Sequence, residues 1–524
     1  MADYVIAGSG INALVAASLL ALKGKKVLVL ERNAMVGGCI RTEEATVPGF
    51  THDVMATTFV LFLLSPAYTA LGPELERRGL AFAHPDIPTG VLRPDGSSLV
   101  LTRDRAKNIA AFEALSAGDG TQYASDMEQL GANAPFLFSL LGGNLWSWSM
   151  AKSVLKEAWR RGPRGLSAFF GQALVSARHW LEIHYNSDLV SALLAPWVLH
   201  TGLGPESTYS GQMAKVIAFA LEAAGAPIVK GGAKNILKAF ETLIRDHGGD
   251  IRCNADVVEV TVDDAGRAAG VVLASGERIA ADEGVICSVT PQQLYGRLLK
   301  NWRGAEAQRS ASKGFVHGKG NMQIHYALKS PPAWKSPELS KVALLHLTPG
   351  LDGVSKAVNE AERGMLPVVP TICVGQPTAF DPSRAPDGKA ILWLQLPEAP
   401  RNIKGDAADE IETPSDGIWT EAVRESYADR VESILAKHMT DFKASVLKRR
   451  CYSPADLAAM NVNLAGGDPY GGACTIDQFF LWRPLPGTTN HTTPVQRLYH
   501  IGASTHPGPG LGGGSGFLLA TSLA

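Results

Sequence analysis

The chain has 524 residues, of which 46% are hydrophobic and 19% charged, and its formal net charge at pH 7 is −1. This length predicts two or three hydrophobic cores. Because positive charge is not in excess, the composition gives no argument for a nucleic-acid-binding function. The cysteines have no paired spacing and are expected to be reduced thiols, neither disulfides nor metal ligands. They are Cys39, Cys253, Cys287, Cys373, Cys451 and Cys474.

The first thirty residues have the pattern of a βαβ unit. Tyr4–Ala7 is a short apolar run that predicts a strand, and a glycine-rich turn follows it directly. Ala13–Lys23 has apolar residues at helical spacing and stops at Gly24, and Lys26–Leu30 reads as a second strand. The unit has the length expected of a dinucleotide-binding fingerprint.

Individual residues of this unit have the chemistry that the fingerprint needs. Gly8 allows the tight turn, and Gly10 leaves room for a pyrophosphate beside the backbone and the helix N-terminus. Ala13 replaces the third glycine with another small residue, where the helix packs on the sheet. Glu31 ends the second strand, at the distance from which an acid accepts hydrogen bonds from a ribose hydroxyl.

A second glycine pair indicates which dinucleotide the chain binds. Arg32 and the segment Gly37-Gly38-Cys39-Ile40-Arg41-Thr42 follow the ribose acid. This arrangement resembles the phosphate and flavin contact of the glutathione-reductase-like FAD family and differs from NAD-dependent dehydrogenases. The resemblance implies FAD as the cofactor, with contacts from Arg32, Gly37, Gly38, Arg41 and Thr42.

The middle of the chain contains a second α/β block. A helix is predicted over Ala233–His247, between Gly231-Gly232 and Gly248-Gly249. Short strands are predicted at Asp250–Cys253, Val257–Val262, Gly270–Leu273, Arg278–Ala280 and Val285–Ser288. In the FAD family, the residue at the position of Val257 meets the adenine through its backbone.

The C-terminus has the same order of strand, glycine-rich loop and helix as the N-terminus. A strand at Arg497–Ile501 runs into a loop with seven glycines between Gly502 and Gly516, and Phe517–Leu523 then begins a helix. A helix N-terminus in that loop could place backbone donors beside the flavin. The expected FAD contacts here are Gly502, Gly512, Gly513 and Ser515.

Motifs along nearly the whole chain together resemble the phytoene-desaturase-related flavoproteins, with the amine-oxidase family as a more distant relative. They are Gly231-Gly232, Asp381–Pro386, Gly466-Gly467-Asp468, Asp477-Gln478-Phe479, Arg483-Pro484 and Gly502–Gly508. The resemblance implies an α/β fold, with an FAD-binding Rossmann-like domain of the glutathione-reductase type and an inserted α+β substrate-binding domain. Met55 stands where relatives usually carry glycine, which puts the usual substrate geometry in doubt.

The FAD-binding domain is expected to be discontinuous, made from 1–75, 225–295 and 485–524, with 76–224 and 296–484 forming the substrate domain. Uncharged stretches in the substrate domain allow two main interpretations, and a partner-binding helix pair is a third. The preferred one places Phe136, Phe138, Trp146, Trp148 and Trp197 in a core or tunnel. The alternative places part of 129–164 on a bilayer, with basic residues at the lipid headgroups. These are Lys152, Lys156, Arg160, Arg161 and Arg164.

The expected function rests on the family resemblance and on the hydride-accepting chemistry of a flavin. We expect a C–C desaturase or dehydrogenase that passes hydride from a small hydrophobic or alicyclic substrate to flavin N5, with oxygen or a quinone as the electron acceptor. His506, in the loop expected nearest the flavin, is the candidate catalytic base. Thr57, Thr58 and Pro507 are candidate substrate contacts. His52, Asp53 and Arg483 have either structural or substrate-binding roles.

Three other functions remain open at the level of sequence. A flavin amine oxidase would need an aromatic cage, and His506-Pro507-Gly508 stands where the cage is expected. A redox-neutral flavin isomerase and a non-enzymatic prenyl-binding protein of the same fold are the others, although the intact phosphate site argues against the latter. No nucleophile elbow or metal-ligand spacing is present. The early first strand leads us to expect a cytoplasmic protein, with membrane association as the alternative and oligomeric state open.

Overall fold

The structure is a computed structural model that describes residues 2–523. It contains two seven-stranded sheets, here called the first and the second sheet. In the first sheet, five strands lie parallel in the spatial order Leu498–Ile501, Arg278–Ser288, Ala2–Ala7, Val27–Leu30 and Asp250–Arg252. Its strands fall inside the three ranges predicted for the FAD-binding domain, although the domain boundaries themselves stay a prediction.

The βαβ unit at the N-terminus is present. The helix Ile11–Leu22 joins Ala2–Ala7 to Val27–Leu30, and Val5 and Ile6 are fully buried. The helix has almost no polar face because it is covered on several sides, by the sheet and by neighbouring helices. One neighbour is Lys234–Asp246, the helix predicted in the middle of the chain.

One prediction about this sheet is wrong. Arg278–Ala280 and Val285–Ser288 belong to one continuous strand, Arg278–Ser288. The start of this strand pairs antiparallel with Ala268–Leu273, which in turn pairs with Val257–Val262, while its end pairs in parallel with Ala2–Ala7. The polar residues between the two halves are strand residues, not a turn.

The two ends of the chain meet. The C-terminal helix Gly514–Ser522 packs on Ile11–Leu22 so closely that a β-carbon on Gly516 would lie 1.9 Å from the Asn12 carbonyl oxygen. Because only glycine fits there, the C-terminal loop is fixed beside the N-terminal glycine turn.

The second sheet is mostly antiparallel, and its edge strands Ser98–Leu101 and Val446–Tyr452 lie far apart in sequence from one another. In spatial order its strands are Val446–Tyr452, Gly320–Leu328, Ala390–Ala399, Ile372–Gly375, Val342–Leu347, Ile87–Leu92 and Ser98–Leu101. Two-stranded pairs are formed by Thr42–Glu43 with His52–Asp53, Phe82–Ala83 with Ile228–Val229, and Met365–Leu366 with Gly405–Asp406.

Several of the remaining helices contact the second sheet, among them Asp188–Leu194, Leu351–Glu362 and Glu421–Ala436. The remaining helices are Val60–Leu63, Pro66–Arg77, Arg105–Leu115, Asp119–Gly142, Trp148–Ala173, Ala177–His184, Asp188–Leu194, Ser210–Ala224, Glu306–Lys313, Leu351–Glu362, Glu421–Ala436, Phe442–Ser445 and Pro454–Met460. Within residues 2–523, no helix combines the length and apolarity needed to cross a membrane.

A buried arginine joins segments of both halves of the fold. Arg384 is fully buried and donates to Asp53 at 2.6 Å, to Asp381 at 3.0 Å and to the Val229 carbonyl at 2.7 Å. Burial alone would raise the pKa of Asp381, but hydrogen bonds from Ser383, the Gly231 amide and Arg384 hold that pKa below its usual value. Asp53, for which the sequence left a structural or a substrate-binding role open, is thus part of a larger ion cluster.

Replacing Arg384 should be strongly destabilising. Arg384→Met leaves two carboxylates buried without their cation, so we expect a loss of about 3–5 kcal/mol in the free energy of unfolding. Urea unfolding followed by tryptophan fluorescence measures it. Arg363→Met, at an exposed position, should change stability by about 0.5 kcal/mol or less. Equal midpoints for the two variants would contradict the assigned role.

Candidate active site

One long cavity lies between the two sheets, and both ends of the chain contribute to its wall. Gly8–Asn12 line it from the N-terminus, and Gly502–Ser504 and Gly508–Leu511 line it from the C-terminus. The predicted cofactor or substrate residues on the wall are Gly8, Gly10, Glu31, Arg32, Gly37, Gly38, Thr57, Thr58, Val257 and Gly502.

The first glycine turn leaves space where a phosphate is expected. Gly8 has φ of +93°, and a β-carbon there would lie 3.0 Å from the Ser288 carbonyl oxygen. Gly10 has an ordinary φ of −64°, and a β-carbon on it would meet no atom within 4 Å. The backbone of the turn therefore requires glycine at position 8. At position 10 the missing side chain leaves open space.

The second glycine pair packs against the first turn. The Gly37 amide donates to the Ser9 hydroxyl at 3.1 Å, and a β-carbon on Gly38 would lie 3.2 Å from Gly10 Cα. Ser9 in turn donates its hydroxyl to Glu31 at 2.6 Å. These contacts hold the two glycine segments and the ribose acid in one cradle.

The predicted adenine contact lies on the same side of the cavity. Val257 lines the wall at the start of its strand, next to Asp256, which pairs with Arg297 at 2.6 Å. Asp256 and Arg297 also line the cavity, as do Glu31 and Arg32. Among the described residues, these four are the charged side chains of the wall, and all come from the first sheet and its connections.

Other predicted residues do not reach the cavity. Arg41 pairs with Glu43, and the Thr42 hydroxyl bonds to Asp53 and accepts from the Lys234 amide. Ala13 is fully buried where its helix packs. In the C-terminal loop, Gly512, Gly513, Ser515 and Pro507 lie behind the wall, and the Ser515 hydroxyl accepts from the Gly502 amide at 2.9 Å. These residues shape the loop, and their direct contact with FAD stays a prediction that this arrangement does not favour.

His506 is also set back from the cavity. Its Nε2–H donates to the Gly143 carbonyl at 3.0 Å, and its own carbonyl accepts from His491. Burial, reinforced by His491, lowers the pKa of His506 to about 3, which makes it a weak base at neutral pH. Its predicted catalytic role therefore stays a prediction, and its contacts favour holding the loop.

Arg483 likewise forms hydrogen bonds with backbone carbonyls. Its guanidinium donates to the carbonyls of Tyr470, Ala473 and Ala503. It does not line the cavity, so the predicted pairing with a substrate carboxylate has no geometric support. Asp477 is exposed, and Gln478 bonds to the Val316 backbone.

The second sheet supplies an uncharged wall that the sequence mostly did not reveal. Its members are aromatic, imidazole and amide side chains from separate segments. We call them the aromatic wall: Trp197, His200, Asn321, Gln323, Trp393, Gln395 and Tyr470. Only Trp197 was anticipated, as a tunnel or core residue. Asn321, Gln323, Trp393 and Gln395 come from two almost fully buried strands, His200 from a short 3₁₀ helix and Tyr470 from a turn. Sequence does not show which side chains of such segments face a cavity.

The core-or-tunnel interpretation is wrong for three of the other predicted aromatics. Trp148 is 71% exposed, Trp146 54% and Phe138 42%. Phe136 is buried, but against Phe169 and Phe170 and not at the cavity.

The fold and the cradle define a dinucleotide-dependent redox enzyme. Residues 14–431 match the family described as flavin-containing amine oxidoreductase, and the chain belongs to that family. It is an FAD-dependent oxidoreductase, as the sequence predicted.

Relatives in this family carry several activities. The chain is 28% identical to rat pyridine nucleotide-disulfide oxidoreductase domain-containing protein 2, over 98% of this chain and 92% of the relative. It is 25% identical to a component of the limonene dehydrogenase of Castellaniella defragrans, over 100% and 94%. It is 26% identical to the zeta-carotene-forming phytoene desaturase of Myxococcus xanthus, over 97% and 90%. The desaturase-related resemblance is confirmed.

Solved structures confirm the fold class. An oxidoreductase from Methanosarcina mazei superposes with a TM-score of 0.61 at 17% identity, covering 99% of this chain and 100% of that one. Cyclohexylamine oxidase from Brevibacterium oxydans gives 0.59 at 15% identity, covering 100% and 98%. The α/β fold with a Rossmann-like FAD-binding part is thereby established.

The cradle fits FAD. The absence of side chains at Gly10 and at Gly38, which lies close to Gly10, leaves room for a pyrophosphate beside the backbone amides. We propose that Gly8, Gly10, Gly37 and Gly38 hold the phosphates and that Glu31 holds the ribose. Bound FAD supplies a hydride acceptor.

Gly10→Val tests the cradle without disturbing the apo fold. Because the position has an ordinary φ and no neighbour within 4 Å, we expect valine to be accommodated while its side chain fills the phosphate space. Purified Gly10→Val should lose most of its bound FAD, measured as the ratio of flavin to protein absorbance. Gly171→Val, at another open position, should keep it. Full FAD occupancy in Gly10→Val would contradict the assignment.

Proposed function

We propose that the protein is an FAD-dependent C–C desaturase or dehydrogenase of a small, uncharged hydrophobic or alicyclic substrate. The observation that carries the proposal is the division of charge in the cavity. Among the described residues, all four charged side chains of the wall come from the connections of the first sheet, and the aromatic wall on the second-sheet side carries none. An ammonium ion there would be desolvated without a carboxylate partner, which is unfavourable.

The chain's own residues then have defined tasks in this reaction. Trp197, Trp393 and Tyr470 exclude water and give a neutral ring flat surfaces to pack on. The Gln395 amide is held by Asn321, which fixes a polar point on an otherwise apolar surface. Thr57 and Thr58 line the cavity beside Met55, in the position proposed for substrate contact. Oxygen or a quinone is the proposed acceptor that returns the enzyme to its oxidised state.

A matched set of three ligands tests this function. FAD-loaded protein without oxygen is mixed with limonene, cyclohexanone or cyclohexylamine, and flavin absorbance is followed. We expect bleaching with a neutral alicyclic compound and at least tenfold slower bleaching with the amine, because only the amine carries charge into the wall.

The other functions give different results in the same experiment. Bleaching by cyclohexylamine alone would overturn the proposal in favour of an amine oxidase. An isomerised product without net bleaching would indicate the redox-neutral alternative.

We further propose that the helix Trp148–Ala173 attaches the protein to a bilayer surface. Trp148, Leu155 and Trp159 lie on one helical face and are 71%, 64% and 93% exposed. Four exposed basic residues accompany them: Lys152, Lys156 and Arg160 lie before the non-helical Gly162 (φ +69°), and Arg164 follows it. Tryptophan beside lysine and arginine on an exposed helix is typical of a segment lying at an anionic lipid interface.

This helix is also connected to the loops around the cavity. The turn before it bonds to the C-terminal part of the chain, through Gly143 to His506 and through the Trp146 backbone to Asn490. Attachment of the helix would therefore hold the C-terminal loop near the membrane, where hydrophobic substrates dissolve.

Vesicle binding tests the attachment. FAD-loaded protein should co-sediment with phosphatidylglycerol-containing vesicles, and Trp159→Glu should lower the partition constant about tenfold or more, since burial of a large apolar side chain contributes roughly 1.5–3 kcal/mol. Ile418→Glu removes an apolar residue of 57% exposure elsewhere and should have no effect. Equal binding by the two variants, or no binding by the unaltered protein, would refute attachment through this helix.

A further inference from the structure

Three metal-ligating side chains from distant parts of the chain meet beside the aromatic wall. His200 follows the helix Asp188–Leu194, His346 lies in Val342–Leu347, and Cys373 is its partner in the neighbouring strand. Each offers one atom, and these atoms all lie within 4.8 Å of one another. Sequence spacing gave no sign of this cluster, because its members lie far apart along the chain.

The hydrogen bonds of the cluster are incomplete. One histidine donates to the other at 2.9 Å between the two Nε2 atoms, which leaves the buried Nδ1 of His346 without a partner among the described residues. The indole nitrogens of Trp197 and Trp393 are also buried and unpartnered, and Trp197 packs against both histidines. A buried imidazole nitrogen without a partner is free to hold an ion, whereas the two indole N–H groups can only donate, for example to an oxygen ligand of that ion.

The chemistry of the donors specifies the ion. The three donors are two imidazole nitrogens and one cysteine sulfur, all within 4.8 Å of one another. Imidazole and thiolate together are a common ligand set of zinc, whereas magnesium and calcium prefer oxygen ligands.

We propose that His200, His346 and Cys373 form a three-ligand site for a thiophilic dication of the Zn²⁺ type at the cavity wall. Binding replaces the Cys373 S–H bond with a metal–sulfur bond, and the released proton goes to solvent. Two neutral imidazoles and one thiolate leave a net charge of +1, and no carboxylate of the described residues lines this side of the cavity. Because His200 lines the cavity, the fourth ligand is an oxygen from the cavity, water or hydroxide when no substrate is present. Such a site goes beyond flavin chemistry, since it would bind the oxygen of a substrate that carries one, such as cyclohexanone, and would leave a hydrocarbon such as limonene unbound.

The test uses Co²⁺ as a coloured substitute for zinc. FAD-loaded protein is treated with a chelator and dialysed against Co²⁺, and bound cobalt and the absorption spectrum are measured. We expect one cobalt per chain, d–d bands at wavelengths longer than flavin absorption, and a thiolate-to-cobalt charge-transfer band. Added Zn²⁺ should abolish all of them.

Variants assign the ligands. Cys373→Ser should lose the charge-transfer band, and His346→Gln should lower cobalt affinity at least tenfold. Cys287→Ser removes a thiol that is equally buried but lies in the first sheet, and it should bind cobalt normally. Retained flavin absorbance and an unchanged thermal midpoint show that each variant is folded.

Two results would overturn the proposal. They are the absence of stoichiometric cobalt in the unaltered protein and a charge-transfer band that persists in Cys373→Ser. If Cys373→Ser does not fold, X-ray absorption of the zinc-loaded unaltered protein decides, since the proposal requires one sulfur and two imidazoles around the ion.

Discussion

The buried ion cluster around Arg384 is the contact on which the relation between the two halves of the fold depends. Asp53 accepts from Arg384 with one oxygen and from the Ala233 amide with the other. The same carboxylate therefore fixes the start of the helix Lys234–Asp246, which packs on the N-terminal helix of the dinucleotide fold. Asp381 accepts a hydrogen bond from the Gly231 amide at 2.7 Å. A residue of the second half of the fold therefore fixes the glycine pair that precedes this helix.

This cluster explains why conformationally unusual residues gather near it. Gly231 and Gly232 both have positive φ, and a β-carbon on Gly232 would lie 2.7 Å from Thr42. Only glycine lets the chain pass close enough for its amides to reach Asp381 and its neighbours. The cavity lies between the two halves, so its shape follows from these few buried contacts.

Local patterns made the dinucleotide cradle predictable. A strand, a glycine turn and an amphipathic or buried helix are encoded within thirty residues, and Gly8, Gly10 and Glu31 line the cavity as predicted. The error at Arg278–Ser288 has a local cause too. Asp282 and Glu283 look like a turn in sequence, but they occur where one strand passes from an antiparallel to a parallel neighbour.

The sequence predicted only Trp197 of the aromatic wall and left the exposed helix between two interpretations, for a different reason. Whether tryptophan packs in a core, lines a cavity or faces outward depends on tertiary neighbours, and hydrophobicity is the same in all three. Trp197 and Trp159 illustrate this, being 6% and 93% exposed. His200, His346 and Cys373 meet only because a sheet places His346 opposite Cys373 and a short 3₁₀ helix covers them.

The division of charge in the cavity also bears on how the proposed desaturation would proceed. Loss of hydride from a neutral carbon creates positive charge on the substrate, and no carboxylate of the described residues lines the second-sheet side to stabilise it. The faces of Trp197 and Trp393 can do so through the negative potential of their rings, a contribution of about 2 kcal/mol in a desolvated site. That contribution is small beside a full ion pair. We therefore expect the enzyme to favour a substrate that delocalises its developing positive charge over a double bond, or one that loses a proton in the same step. An alicyclic alkene or a ketone meets this condition, and a saturated hydrocarbon does not.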